Sequence, residues 1–188
     1  MKIEVKGNEF YIGINWGAIK ELGWFKSTYA IPVDLDILCF EVNNKRQLEV
    51  ITNLEKKETT WAELSQDDMS GDMNGDDKLD NEWITFYTKR IHEGSRFYVG
   101  VINYTEQSLI KVSHFDYRIY NGAPNKDDEI FYKKDILKEV ALDHDSESII
   151  LGYLTKESGK VYYIPIESPS QCKMKENMFE EIKEKLFY

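Results

Sequence analysis

The sequence predicts an all-β protein: an antiparallel β-sandwich of about 8–10 strands with a short C-terminal helix. Nine short segments rich in β-branched and aromatic residues recur along the chain, each bounded by polar turns. Several, such as 34–42 and 148–154, are apolar on both faces, which suits the central strands of packed sheets. Only the last stretch of the chain carries a clear helical period.

Taken in order, the strand segments are EFYIGIN (9–15), DLDILCFEV (34–42), QLEVIT (47–52), WITFYTK (83–89) and RFYVGVINY (96–104). HFDYRIY (114–120), DEIFYK (128–133), SIILGYL (148–154) and KVYYIPIE (160–167) follow. TWAEL (60–64) reads as one short helical turn capped by Thr59 or Thr60, and LKEVAL (137–142) admits a helix and is not assigned. After SPS (168–170), Met174, Met178, Ile182 and Leu186 repeat every four residues, and Phe179 widens the stripe into an amphipathic helix. With no linker and no repeat, residues 1–168 form one sandwich domain, and 169–188 a helix packed on it.

The chain has 188 residues, 41% hydrophobic and 13% aromatic, enough for one sizeable core. Its net charge of −10 and sequence pI near 4.9 argue against a nucleic-acid partner, which needs clustered Lys and Arg. No run approaches the ~18 apolar residues of a membrane span, and MKIEVKGNEF has no apolar signal core, so a soluble cytoplasmic protein is expected. Cys39 and Cys172 show neither zinc spacing nor a disulfide framework, and Cys39 in DILCF reads as a buried thiol. His92, His114 and His144 form no triad, and no Gly-rich loop leads from a strand into a helix to hold a nucleotide.

The acids are concentrated. From Glu63 to Glu82 eight carboxylates face one lysine, a local charge of −7. Asp72, Asn74, Asp76 and Asp80 offer oxygens at alternating steps, and Gly71 and Gly75 permit bends, a pattern that suits calcium. An EF-hand register starting at Asp72 breaks at Asp77, where glycine is required, and at Trp83, where a bidentate Glu is required. An irregular calcium loop between strands remains, with a solvated acidic loop as the plain alternative. Further carboxylates stand at Asp34 and Asp36, and at Asp143, Asp145 and Glu147.

GINW (13–16), VDLDILCF, SGDMNGDDKLDNEWI, SESIILGYL and GKVYYIPI occur in the order found in the TerD family of tellurium-resistance, calcium-binding stress proteins, which residues 9–167 resemble. The resemblance implies a β-sandwich binding two calcium ions, without established catalysis, in tellurite resistance and other stress responses. By matching positions it implies Asp34, Asp36, Asp72, Asp80, Glu82, Asp145 and Glu147 as ligands, with Asp76 or Asp77 filling the slot before DNE. Gly17 stands where the family has an aspartate, and Asn81 replaces one acid. The expected ligand set is therefore Asp34, Asp36, Asp72, Asn74, Asp76, Asp77, Asp80, Glu82, Asp145 and Glu147, holding one or two Ca2+. The strand-edge acids are expected to converge on the loop at one pole. Expected partners are calcium and other proteins of a stress-response complex, some of them membrane-associated. A carboxylate-dependent glycoside hydrolase, or a calcium-dependent carbohydrate-binding module, is the alternative.

Overall fold

A computed structural model describes residues 2–25, 27–43, 48–52, 56–105, 108–125, 130–141 and 148–166. In chain order the strands are β1 (Ile3–Glu4), β2 (Glu9–Trp16), β3 (Ile19–Leu22), β4 (Thr28–Ile31), β5 (Leu35–Asn43), β6 (Leu48–Ile51) and β7 (Ala62–Leu64). They continue with β8 (Glu82–Tyr87), β9 (Ser95–Asn103), β10 (Phe115–Tyr120), β11 (Ile136–Ala141), β12 (Ser148–Glu157) and β13 (Lys160–Pro165). A six-stranded sheet runs β1-β13-β12-β9-β5-β6 and a five-stranded sheet runs β11-β10-β2-β8-β7. β3 and β4 pair with each other as a two-stranded ribbon, and Ile19 of β3 also bridges Val112. All strand pairs are antiparallel, neither large sheet closes on itself, and the fold is an all-β sandwich.

Period two sets the layers. Phe10, Ile12, Ile14 and Trp16 of β2 point into the core beside Phe115, Tyr117 and Ile119 of β10. Leu35, Ile37 and Cys39 of β5 enter the same core from the facing sheet. Leu38, Phe40 and Val42 turn to the opposite face and join Tyr98, Ile102 and Ile150 in a second buried cluster. That second cluster explains why 34–42 is apolar on both faces. Cys39 is a buried thiol whose pKa burial drives well above its ordinary value, as its setting in DILCF predicts.

Two local expectations change, and one segment left unassigned is settled. Residues 60–64 are not helical. The Thr59 hydroxyl accepts from the amides of Trp61 (3.3 Å) and Ala62 (3.1 Å), which makes a turn, and Ala62–Leu64 then pairs with β8. The turn sends the Trp61 indole into the core, edge-on to Phe97 at 4.9 Å. Residues 137–142, which admit a helix, lie largely in β11, paired with β10. The expected strand 128–133 is not one among its described residues. There Phe131 folds over the outer face of the five-stranded sheet and stacks on Tyr120 at 4.1 Å. Among the described residues the strands number thirteen against the expected 8–10, because β1, β3, β4 and β7 are too brief to show a period and β11 falls on the segment left unassigned. The C-terminal helix of 169–188 lies outside the described residues. Among the described residues no helix is long and apolar enough to cross a membrane.

Gly13 lies beneath a side chain. A Cβ there would stand 2.2 Å from Asp80 Oδ2 and 2.4 Å from its Cγ. Asp80 is fixed by Arg118 and Tyr120, so it has nowhere to retreat. Gly13→Ala is expected to cost roughly 1–3 kcal/mol by overpacking, lowering the melting temperature by roughly 3–10 °C. Thermal denaturation checks this, and an unchanged midpoint would mean that Asp80 does not rest on Gly13.

Candidate metal centre

Trp16 holds the acidic loop to the sandwich. Its amide donates to Asn81 Oδ1 at 2.8 Å, and its carbonyl accepts from the Asp72 amide at 2.9 Å. Its indole donates to the Val33 carbonyl at 2.7 Å, just before β5 begins. Gly71 crosses this indole at φ +65°, where a Cβ would lie 2.4 Å from Nε1. The left-handed backbone and the absence of a side chain are both required at that crossing. The Ser70 carbonyl accepts from the Val33 amide at 3.2 Å, and the Asp72 carbonyl from Ala18 at 3.3 Å.

Two groups of metal-capable side chains gather at this pole. The first joins Asp34, Asp36 and Asp67, each offering a carboxylate oxygen within 4.8 Å of the others. Asp36 is buried, and Asp67 Oδ1 is buried with no hydrogen-bond donor on it. Glu82 lies alongside, fully buried, its two oxygens accepting from the Ile37 amide (3.0 Å) and the Asp68 amide (3.1 Å). Its pKa is pushed up to about 9, first by burial and further by the Asp36 and Asp67 carboxylates, against the two amide bonds. Glu82 thus keeps its proton at neutral pH in the metal-free protein.

The second group joins Asp72, Asp76 and His114. His114 Nε2 is 3.2 Å from Asp72 Oδ2, 3.8 Å from Asp76 Oδ1 and 3.3 Å from Asn15 Oδ1. Asn15 also donates to Asp76 Oδ1 at 3.2 Å. The imidazole fills the space beside Gly17, where a Cβ would lie 2.6 Å from the ring. Between the groups, Asn81 Nδ2 donates to Asp68 Oδ2 (3.1 Å) and Asp72 Oδ1 (3.4 Å). Burial acts most strongly on Asp68, but hydrogen bonds from Ser70, Asn81 and Gly71 outweigh it and lower its pKa.

The other expected ligands go elsewhere. Asp80 is engaged by Arg118 Nη1 at 2.9 Å and by the Tyr120 hydroxyl. Arg118 also pairs with Asp116 (2.9 Å) and Glu139 (2.8 Å). Burial lifts Asp80 to about 6 in spite of that guanidinium. Asn74 and Asp77 are exposed. Asp77 Oδ1 accepts from the Leu79 amide at 2.8 Å, and its own amide donates to Asp72 Oδ2 at 3.1 Å. Asp145 and Glu147 lie outside the described residues. Sequence reasoning passed over Asp67 and His114 as ligands. Asp67 belongs to the same acidic run, whereas His114 is recognisable only from the pairing of β10 with β2.

The Glu82 carboxyl ionises in the unfolded chain near its ordinary 4.5 but only near pH 9 in the fold. Folding therefore takes up a proton between those values, and stability falls as pH rises through that window, by up to about 1.4 kcal/mol per pH unit. Asp76, held near 2 as hydrogen bonds outweigh the larger effect of burial, acts in the opposite sense only in stronger acid. The metal-stripped protein is expected to melt at higher temperature as pH is lowered from about 9 to about 7, above the range in which Asp80 takes up its proton. Glu82→Gln should flatten that slope, and it costs about 1–3 kcal/mol at every pH because the Gln NH2 cannot accept from one of the two amides. A slope that survives the substitution would assign it to another group.

No family model matches the chain, and no curated protein matches it. Among solved structures it is similar to the crystal structure of the unknown-function protein SAV2460, at a TM-score of 0.63 and 16% identity, over 91% of this chain and 94% of that one. At that identity the likeness establishes the sandwich fold alone.

Proposed function

We propose that this chain is a calcium-binding, TerD-like module of a cytoplasmic bacterial stress response, acting without catalysis as a binding or scaffold protein for other members of a stress complex. The convergence of Asp34, Asp36 and Asp67 from two separate segments carries this reading. An all-oxygen group of hard ligands suits calcium or magnesium over softer metals. The buried, donor-free Asp67 oxygen, and the crowding of Asp36 and Asp67 against Glu82, support a cation among these acids. The order of the TerD-like motifs points the same way.

The residues divide the work. Asp34, Asp36 and Asp67 would hold one ion, which supplies charge neutralisation and a cross-link between the start of β5 and the loop. Glu82 positions both segments through the Ile37 and Asp68 amides. Asp72 and Asp76 form a second acidic group, but the imidazole of His114 already lies against them where the family pattern has an acid. One calcium per chain is therefore favoured over two.

The hydrolase alternative needs a desolvated acid that stays protonated, and Glu82 has that property. It is, however, fully buried with both oxygens on backbone amides, and no sugar can reach it. A carbohydrate-binding role has no comparable observation in its favour.

Calorimetric titration of EDTA-stripped protein is expected to give one calcium site, with weaker magnesium binding. Calcium at 100 times its dissociation constant adds about 2.7 kcal/mol, raising the melting temperature by roughly 5–10 °C. Asp36→Asn and Asp67→Asn should each weaken binding at least about tenfold, and His114→Ala should leave this site unchanged. No heat and no melting shift at millimolar calcium would remove the reading.

A further inference from the structure

The β3–β4 ribbon presents an aromatic tip that the core does not use. Trp24 is 90% exposed and Phe25 96% in the turn, and Leu22, at the end of β3, is 75% exposed. Gly23 closes the turn, its amide donating to the Ser27 carbonyl at 2.7 Å. Phe25 sits at φ +74°, a conformation unfavourable for a bulky L-residue, and the strain serves no packing. The ribbon pairs with neither large sheet. On residues 19–31 two lysines, Lys20 and Lys26, stand against the single acid Glu21, in a chain of net charge −10.

Both feet of the ribbon stand on the acidic pole. Ala18, before β3, donates to the Asp72 carbonyl at 3.3 Å. Val33, after β4, donates to the Ser70 carbonyl at 3.2 Å and is followed directly by Asp34. Four residues per strand at about 3.3 Å each place the tip roughly 13 Å beyond those feet. That exceeds the Debye length of about 8–10 Å at ordinary salt, so the acids act only weakly at the tip's own depth.

We propose that this ribbon is a bilayer anchor: Trp24 and Phe25 enter the phospholipid interface, and a cation at the pole beneath permits approach to anionic headgroups. The cation dependence rests on the calcium reading above; the insertion of the tip does not. A stable protein interface takes about 800 Å² from each partner and a shaped complement. Three side chains on a convex tip supply neither. A bilayer interface accepts Trp and Phe without shape complementarity, and the ribbon's sequence carries more lysine than acid, as segments at membrane boundaries do. The net positive ribbon on an acidic body orients the tip toward the phosphate layer.

The test is co-sedimentation with phosphatidylcholine vesicles, and with phosphatidylcholine–phosphatidylserine vesicles, each in calcium and in EDTA. The parent protein is expected to sediment with phosphatidylcholine in both conditions and with the anionic vesicles in calcium only. A Trp24→Ser, Phe25→Ser double variant should lose partitioning at least about tenfold in every positive arm. Its calcium heat and melting temperature should not change, since both side chains are exposed. Equal sedimentation of parent and variant, or none with any vesicle, overturns the anchor. Anionic-vesicle binding that ignores calcium, in a protein whose calorimetry shows a calcium site, overturns the cation dependence. A calorimetric blank removes the calcium reading and with it the cation dependence, while the phosphatidylcholine arm still decides the tip. A parent dimer that the double variant converts to monomer assigns the tip to protein contact and overturns the lipid proposal.

Discussion

Everything at the acidic pole hangs from Trp16. Its ring is fully buried, so its position is fixed by the core. From there its backbone holds Asn81 and Asp72, and its indole holds the Val33 carbonyl. Three stretches of chain that carry acids are thereby set against one another: the approach to β5, the loop, and the approach to β8. Burial of the indole supplies an apolar contribution of a few kcal/mol, and this offsets the repulsion of assembling carboxylates. A smaller side chain here would loosen core and pole together.

The pole resolves its charge in more than one way. Asp80 is neutralised by a permanent cation: Arg118 lies against it, and its pKa reaches only about 6 despite burial. Asp68 is held ionised by amide, hydroxyl and side-chain donors. Glu82, with two amide donors but with Asp36 and Asp67 nearby, ends near 9 and carries a proton at neutral pH. Fixed charge, fixed dipoles and an exchangeable proton thus serve neighbouring acids. Only the last can be exchanged for another cation.

The strands that bury a face were legible because their alternation runs for six or more residues, as in EFYIGIN and HFDYRIY. TWAEL was misread because five residues cannot separate a helical period from a strand. There the decision fell to the Thr59 hydroxyl. DEIFYK alternates like a strand, yet Phe131 stacks on Tyr120 and meets Trp83 edge-on, contacts between residues far apart in sequence. The acidic run marked the pole, and Asp34 and Asp36 were found from their pattern. Asp80 reads as a ligand in the sequence because its neutralising partner lies 38 residues later, and the two meet because Gly13 leaves room for Asp80 above β2. His114 reaches Asn15 from 99 residues away, a relation that no local pattern encodes.

The placement of Glu82 ties the state of the pole to the fold as a whole. Its carboxyl reaches from the five-stranded sheet to the Ile37 amide of the six-stranded sheet while also holding the Asp68 amide of the loop. Any change in the charge around it is felt on both sheets. In the protonated state the proton relieves repulsion with Asp36 and Asp67. A cation among Asp34, Asp36 and Asp67 would remove the same repulsion and return Glu82 to its charged form, which binds the two amides more strongly. Proton and cation therefore compete for one electrostatic deficit. The cation additionally joins β5 to the loop, so the same neutralisation gains stability in one case and rigidity as well in the other.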